Sequence, residues 1–258
     1  MATALITGAS SGIGLELGRQ FAAGKHDLVL VARSRDKLQA LADRLQQEFG
    51  IKVDVIAMDL ATEDAAAALY ATLQQQNLQV DYLVNNAGFG NNIMFAEMQS
   101  EDALQMIQLN ISTLTHLTRL LLPGMLARRH GRVLNIASTA AFMPGPTQAV
   151  YFATKAYVLS FSEALADELA GSGVTVTVYC PGPTHTGFAD RAHMSEAPMF
   201  KLNAMSAEVV ARGAYRAMMR GQSMAIAGLF NNLLIFSTRL TPRWLVRKIT
   251  RWLTDGRA

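Results

Sequence analysis

The chain has 258 residues, 50% hydrophobic and 17% charged, a balance that suits a folded globular protein with a sizeable core and excludes a disordered or fibrous one. Its formal net charge of +3 is too small an excess to argue for nucleic-acid binding and reads as a mildly basic, solvated surface. Cys180 is the one cysteine, so no intrachain disulfide can form and a disulfide-stapled secreted fold is excluded.

The N-terminus enters an apolar run almost at once, without the basic stretch, long apolar core and small-residue site of a cleaved signal peptide. No run approaches the roughly 18–20 uninterrupted apolar residues of a membrane span, and the cytoplasm is the expected compartment. Residues 4–7, 28–32, 53–57, 82–84, 133–136 and 174–179 are compact, rich in Val, Ile and Leu, and apolar on both faces. They predict strands of a parallel sheet covered by helices on both sides, with residues 224–227 as a last strand. Helical patterns lie between them, as where Leu38, Leu41, Leu45 and Phe49 recur at three- and four-residue steps. Parallel neighbours need crossover connections, so the alternation predicts a single doubly wound α/β domain over residues 1–258, with about seven strands.

Between the first strand and the first helix stands Thr7-Gly8-Ala9-Ser10-Ser11-Gly12-Ile13-Gly14. Glycines there let the chain turn sharply and approach a pyrophosphate closely, and the helix N-terminus offers free N–H groups and a favourable dipole to that anion. The second strand then ends Val31-Ala32-Arg33-Ser34-Arg35, with no carboxylate before Asp36. A site for NAD(H) places an acidic residue here to hold the ribose 2′-hydroxyl. Arg33 can instead pair with a 2′-phosphate, helped by the hydroxyls of Ser10 and Ser34, which predicts NADP(H). The alternative is a surface arginine at a strand end.

Further along, Tyr151 and Lys155 are four residues apart in a helical pattern and so share one face. An ammonium beside a phenol favours phenolate and fits that phenol for proton transfer. Alone, the spacing is common and mostly structural. Residues 184–206 then break the alternation: His185, Gly187, His193, Met194, Pro198, Met199 and Phe200 follow no clean period. An irregular stretch of this length predicts a mobile substrate lid, with ordinary packing as the alternative. The histidines His26, His116, His130, His185 and His193 form no ligand pattern with cysteine or carboxylates, so no metal is expected. His185 and His193 are read as solvent-facing or locally bonded, with substrate contact as the alternative.

Residues 229–258 form a basic amphipathic helical extension of two apolar segments. In the second, Trp244, Leu245, Lys248, Ile249, Trp252 and Leu253 are expected to mark one face, interleaved with Arg243, Arg247 and Arg251. Such a helix packs on its own domain or on a partner subunit; the alternative is peripheral contact with a membrane surface.

The chain resembles the short-chain dehydrogenase/reductase family. The resemblance rests on the T-G-x-x-x-G-x-G loop at residues 7–14, Asp59, Asn85-Asn86-Ala87-Gly88, Asn110, Ser138, the Tyr151/Lys155 pair and Pro181-Gly182, in the family's order and spacing. It implies a Rossmann-type fold and an oxidoreductase in which NADP(H) exchanges a hydride with a ketone or aldehyde and its alcohol. Carried over residue by residue, it makes Tyr151 the general acid in reduction and the base in oxidation. Ser138 bonds the substrate oxygen, and Lys155 lowers the phenol's pKa and holds the nicotinamide ribose. Asn110 carries a water linking Lys155 to solvent. Asp59 contacts the adenine amino group with the backbone of Leu60 beside it, and Asn86, Ala87 and Gly88 line the cofactor while Asn85 braces the sheet. The turn from Pro181 and Gly182 to Thr186 frames the carboxamide, with Thr184 or Thr186 as hydroxyl partner.

The resemblance also implies a homodimer or homotetramer, paired through helices at residues 110–129 and 151–169. A 3-oxoacyl-carrier-protein-type reductase shares every motif and stands as the alternative enzyme. A non-catalytic nucleotide sensor or scaffold is the alternative of another class, against which the Ser138, Tyr151 and Lys155 set argues. Phe89, Ile93, Met94, Phe142, Met143, Met194, Met199 and Phe200 point to a hydrophobic carbonyl substrate.

Overall fold

In the computed structural model, which describes residues 1–188, 192 and 197–254, β-branched and leucine-rich runs become the strands of one parallel sheet. These are β1 (Thr3–Thr7), β2 (Asp27–Ala32), β3 (Val53–Ala57), β4 (Tyr82–Asn85), β5 (Gly131–Ile136), β6 (Val174–Cys180) and β9 (Met224–Ile226), ordered β3-β2-β1-β4-β5-β6-β9. In β1, Ala4 and Ile6 point to one layer and Leu5 to the other, and all three are fully buried. This is why the strand reads as continuously apolar.

Helices α1 (Gly12–Ala23), α2 (Arg35–Phe49) and α8 (Ala207–Met219) cover the first face, where Leu17, Phe21, Leu38, Leu45, Val210 and Met218 meet Ile6, Leu28 and Leu30. Helices α3 (Ala65–Gln75), α5 (Leu114–Ala127) and α6 (Ala149–Glu168) cover the second, placing Leu69, Leu73, Leu117 and Leu165 on Leu5, Val29, Leu83 and Val176. Each such side chain stabilises the fold by about 1.5–3 kcal/mol through removal from water.

Chain order reverses at β1, which pairs β2 on one side and β4 on the other. At such a switch point the carboxyl ends of the strands leave a crevice. Thr7 holds its floor together: the hydroxyl donates to Val84 O at 3.2 Å and accepts from the N–H groups of Asn86 and Ala87, both at 3.0 Å.

Between α4 (Ser100–Ile107) and α5 the helix continues through a π-helical turn, Gln108–Thr113, which contains Asn110. The helix expected at residues 110–129 is therefore present over most of that range, and it opens with a wide turn that periodicity does not reveal. Past β6, the segment expected as a lid is pinned at its base. There β7 (Thr184–His185) pairs in parallel with β8 (Met205–Ser206), and α7 (Pro198–Asn203) precedes β8. His193 and Met194, with the rest of residues 189–191 and 193–196, lie outside the described residues, as do residues 255–258 of the tail.

The tail forms α9 (Leu229–Leu240), against the turn Thr139–Phe142, and α10 (Arg243–Thr254), against α7. The face of α10 differs from the one expected. Its buried stripe is Val246, Thr250 and Thr254, at four-residue steps, while Trp244 and Trp252 face solvent. The helix is rotated from its apolar arc with Thr254 held inward: its carbonyl accepts from Asn92 Nδ2 at 3.2 Å, while its hydroxyl donates back to Thr250 O at 3.0 Å. Among the described residues no helix is long and apolar enough to cross a membrane.

Candidate active site

A cleft of about 1180 Å³ runs along the carboxyl ends of the strands. At one end lies the glycine loop. Gly8 and Gly12 hold φ of +67° and +56°, a region L side chains rarely adopt, and a Cβ on Gly14 would collide with Gly8 O. The loop is thus packed against the chain behind it and presents backbone to the cleft. Ser11 caps α1 without a side-chain bond, so the first N–H groups of that helix, at Gly12, Ile13 and Gly14, border the cleft free of a side-chain cap. This cradle fits a pyrophosphate, since a side chain at these glycines would strain the loop or occupy its space.

Arg33, exposed at the end of β2, lines the same end together with Ser10, Ser11, Ser34 and Lys37. Among the described residues no carboxylate pairs with Arg33. Lys37 was missed by sequence reasoning, although its place four residues after Arg33 was a usable signal. Asp59 and Leu60 border the cleft one strand further on. The Asp59 carboxylate accepts from Ala61 N at 3.0 Å, and Leu60 O accepts from Thr113 Oγ1 at 2.8 Å, which fastens this edge to the π turn.

Asn86, Ala87 and Gly88 form the floor. Asn86 Nδ2 donates to Thr7 O at 2.9 Å, bracing the loop from below. Asn85 points into the sheet, donating to Asn135 Oδ1 at 2.9 Å and Thr118 Oγ1 at 3.0 Å, while Asn135 donates to Ser162 Oγ at 2.8 Å. Every one of these buried amides has partners, as burial demands.

At the other end, α6 brings Tyr151 and Lys155 to the cleft, and the end of β5 brings Ser138. Ser138 Oγ accepts from Ala140 N at 3.1 Å, and the serine and the Tyr151 phenol line the same end of the cleft. Lys155 Nζ donates to Ile136 O at 2.9 Å and lies 5.8 Å from the centre of the Tyr151 ring. Burial pushes the phenol up to about 12, against the Ser138 side chain, and pushes the ammonium down to about 8, against the Cys180 side chain beside it. Desolvation disfavours both charges. The upward shift of Tyr151 runs opposite to the lowering expected from Lys155.

Asn110 lies behind the cleft wall, 2% exposed. Its Nδ2 donates to Phe89 O at 3.0 Å and to Thr154 Oγ1 at 3.1 Å, and its Oδ1 accepts from Phe89 N at 3.2 Å. Thr154 in turn donates to Tyr151 O at 2.7 Å. The Thr154 link and the bracing of Phe89 are invisible in a motif, because they depend on the π turn.

Pro181, Gly182, Thr184 and Thr186 close the side opposite the floor. Thr184 Oγ1 donates to Gly182 O at 2.9 Å, and Thr186 Oγ1 accepts from Phe188 N at 3.2 Å. Over the phenol, the Phe188 and Tyr151 rings lie 5.3 Å apart, and a Cβ on Gly90 would fall 2.8 Å from Tyr151 Cδ2. Phe188 and Gly90 were not singled out from the sequence. Phe230 and Leu234 of α9 and Ile249 and Leu253 of α10 complete an apolar outer wall with Met143, Met199 and Phe200. Cys180 is fully buried at the end of β6, its thiol pushed up to about 12 by burial, so it is no nucleophile.

A profile of the short chain dehydrogenase family matches residues 2–197. A very-long-chain 3-oxoacyl-CoA reductase of Phaeosphaeria nodorum is 37% identical over 179 residues, 67% of this chain and 52% of that protein. The chain thus spans about half the length of that relative. The NADP-dependent 3-hydroxy acid dehydrogenase YdfG of Salmonella typhi is 38% identical, over 69% of this chain and 71% of its own. Among solved structures, a short-chain dehydrogenase of Sphingobium yanoikuyae in complex with NADPH is 33% identical with a TM-score of 0.83, covering 93% of this chain and 95% of that one. The chain belongs to the short-chain dehydrogenase family.

Proposed function

We propose that this member of the family is an NADP(H)-dependent oxidoreductase that reduces the carbonyl of an apolar compound to an alcohol, and that its Tyr151 supplies the proton. The observation that carries the reading is a single cleft with a pyrophosphate cradle and Arg33 at one end and Ser138, Tyr151 and Lys155 at the other. The NADPH of the Sphingobium structure and the NADP dependence in the name of the Salmonella enzyme support the choice of nucleotide.

Gly8 to Gly14 would hold the pyrophosphate, Arg33 and Lys37 a 2′-phosphate, and Lys155 the ribose beside the nicotinamide. Asp59 and Leu60 would border the adenine, with Asn86, Ala87 and Gly88 beneath the cofactor and the segment from Pro181 to Thr186 against the carboxamide. Bound there, the reduced nicotinamide supplies a hydride to the carbonyl carbon. The residues of the chain do the rest. Ser138 and Tyr151 together grip the carbonyl oxygen, and the Tyr151 hydroxyl passes its proton to that oxygen as charge develops on it. A phenol held near 12 stays protonated at neutral pH, ready as the acid in reduction. The resulting phenolate needs a cation nearby, which the Lys155 ammonium supplies while protonated. Asn110 holds the turn at Phe89 and, through Thr154, the segment of α6 that carries both groups. The water link expected of it completes the proposed proton path.

As to substrate, the two relatives act on 3-oxoacyl-CoA and 3-hydroxy acids, which share an oxygen on the third carbon. The apolar wall of Phe230, Leu234, Ile249 and Leu253 favours a 3-oxoacyl group on a hydrocarbon chain over a small polar ketone. NADPH oxidation followed across 3-oxoacyl thioesters of rising chain length, short polar ketones and aldehydes tests this. Catalytic efficiency should rise with chain length; a preference for the short polar compounds ends the acyl reading while leaving the reductase reading intact.

A further inference from the structure

We propose that α9 and α10 dock this protein on an anionic lipid surface. Leu229, Leu233, Phe236 and Leu240 recur at steps of four, three and four, which lines them on one side of α9. A stripe of this kind normally faces a core. Here the four are 77%, 62%, 59% and 77% exposed, while Asn231 and Ile235 take the buried side. Two residues later α10 turns Trp244 and Trp252, 54% and 59% exposed, to solvent as well.

Charge selects the occupant. Arg239, Arg243, Arg247, Lys248 and Arg251 lie along the two helices, all exposed, and residues 229–254 contain no carboxylate. A second copy meeting this face through a two-fold axis would set these cations against themselves. An anionic lipid surface neutralises them and takes the apolar stripe below its headgroups, with the tryptophans at the boundary, where an amphipathic ring is favoured. Lys248 lies 5.4 Å from the centre of the Trp244 ring, so cation and aromatic are presented together. The same helices put Phe230, Leu234, Ile249 and Leu253 into the wall of the cleft. Docking in this way holds the cleft mouth beside the acyl layer, and an apolar substrate passes between them without crossing water.

Trp244 and Trp252 are the only tryptophans in the chain, so tryptophan emission, excited selectively, reports on α10 alone. The full chain is titrated with vesicles of equimolar phosphatidylcholine and phosphatidylglycerol, and with phosphatidylcholine alone. The emission should shift to the blue and co-sedimentation should rise with the anionic vesicles only, both reversed by high salt. Replacing Arg247, Lys248 and Arg251 by Gln, all exposed and outside the cleft, should weaken partitioning about a hundredfold, at about 1 kcal/mol per cation. Replacing Leu233 and Phe236 by Ser should also abolish binding without loss of solubility. Unchanged emission, equal binding to both vesicles, or indifference to the three Gln substitutions overturns the proposal. So does a concentration-dependent blue shift without lipid, accompanied by a doubled mass that the Leu233 and Phe236 variant loses. In that case a second copy covers the face.

Discussion

Asn110 and Thr154 are joined at 3.1 Å, side chain to side chain, across the gap between the π turn and the helix that carries Tyr151 and Lys155. The bond leaves no donor of the Asn110 amide unused, since the other hydrogen goes to Phe89 O. Thr154 passes the restraint to Tyr151 O one turn earlier. A buried asparagine thus fixes the start of α6, where the phenol must stand.

Asn110→Ala removes partners from Phe89 and Thr154 in a buried setting, which costs about 1–3 kcal/mol per unsatisfied group. Urea unfolding should show a lower midpoint, and kcat should fall more than the KM for NADPH changes. A stability loss with kcat intact would reduce the residue to a structural brace.

Arg33→Ala should weaken NADPH binding about ten- to a hundredfold, because a charge-assisted contact to phosphate contributes about 1.5–3 kcal/mol. NADH, which lacks the 2′-phosphate, should bind the variant as it binds the parent. Lys37→Ala should act in the same direction. Fluorescence titration with both nucleotides reads the difference, and equal losses for the two would remove Arg33 from the phosphate.

Gly90→Ala places a Cβ 2.8 Å from Tyr151 Cδ2 and 3.0 Å from Phe188 Cζ, so at least one of these rings must move. Turnover should drop while NADPH affinity, set at the far end of the cleft, is retained. Wild-type kcat in this variant would show that the ring yields without consequence.

Burial holds the Lys155 ammonium at about 8. The efficiency kcat/KM for NADPH, which reports the nucleotide-free enzyme, should decline as pH rises through about 8 and Lys155 loses its charge. Lys155→Arg, which stays charged, should flatten that limb even where its overall rate is low. The stability sign is opposite. Between about 8 and the ordinary lysine value of 10.5 the unfolded chain binds more protons at this residue than the folded one, so its contribution to stability rises with pH. Tyr151, raised from 10 to about 12, reverses the trend above pH 10.

Much of this was legible in the chain. The sheet could be read because strands such as β1 are buried on both faces, and the helix Arg35–Phe49 because its leucines keep a strict period. The glycine loop could be read because Gly8, Gly12 and Gly14 each occupy a place where a side chain would strain the backbone or meet it. Phe188 over Tyr151 was hidden because the contact is made by a segment without period. The orientation of α10 was hidden for another reason: Thr250 and Thr254 carry no hydrophobic signal, yet they point inward, and the more apolar tryptophans do not. Amphipathicity finds a face; it does not say which face is buried when long-range hydrogen bonds decide.

The proton that Tyr151 supplies is the central step of the proposed reaction. Tyr151→Phe keeps the ring against Phe188 and Phe152 and removes only the hydroxyl. With NADPH and a 3-oxoacyl thioester, turnover should fall by about 10²–10⁴-fold, the contribution of a positioned general acid. NADPH affinity and thermal stability should stay near those of the parent. Turnover within a few-fold of the parent would contradict the assignment.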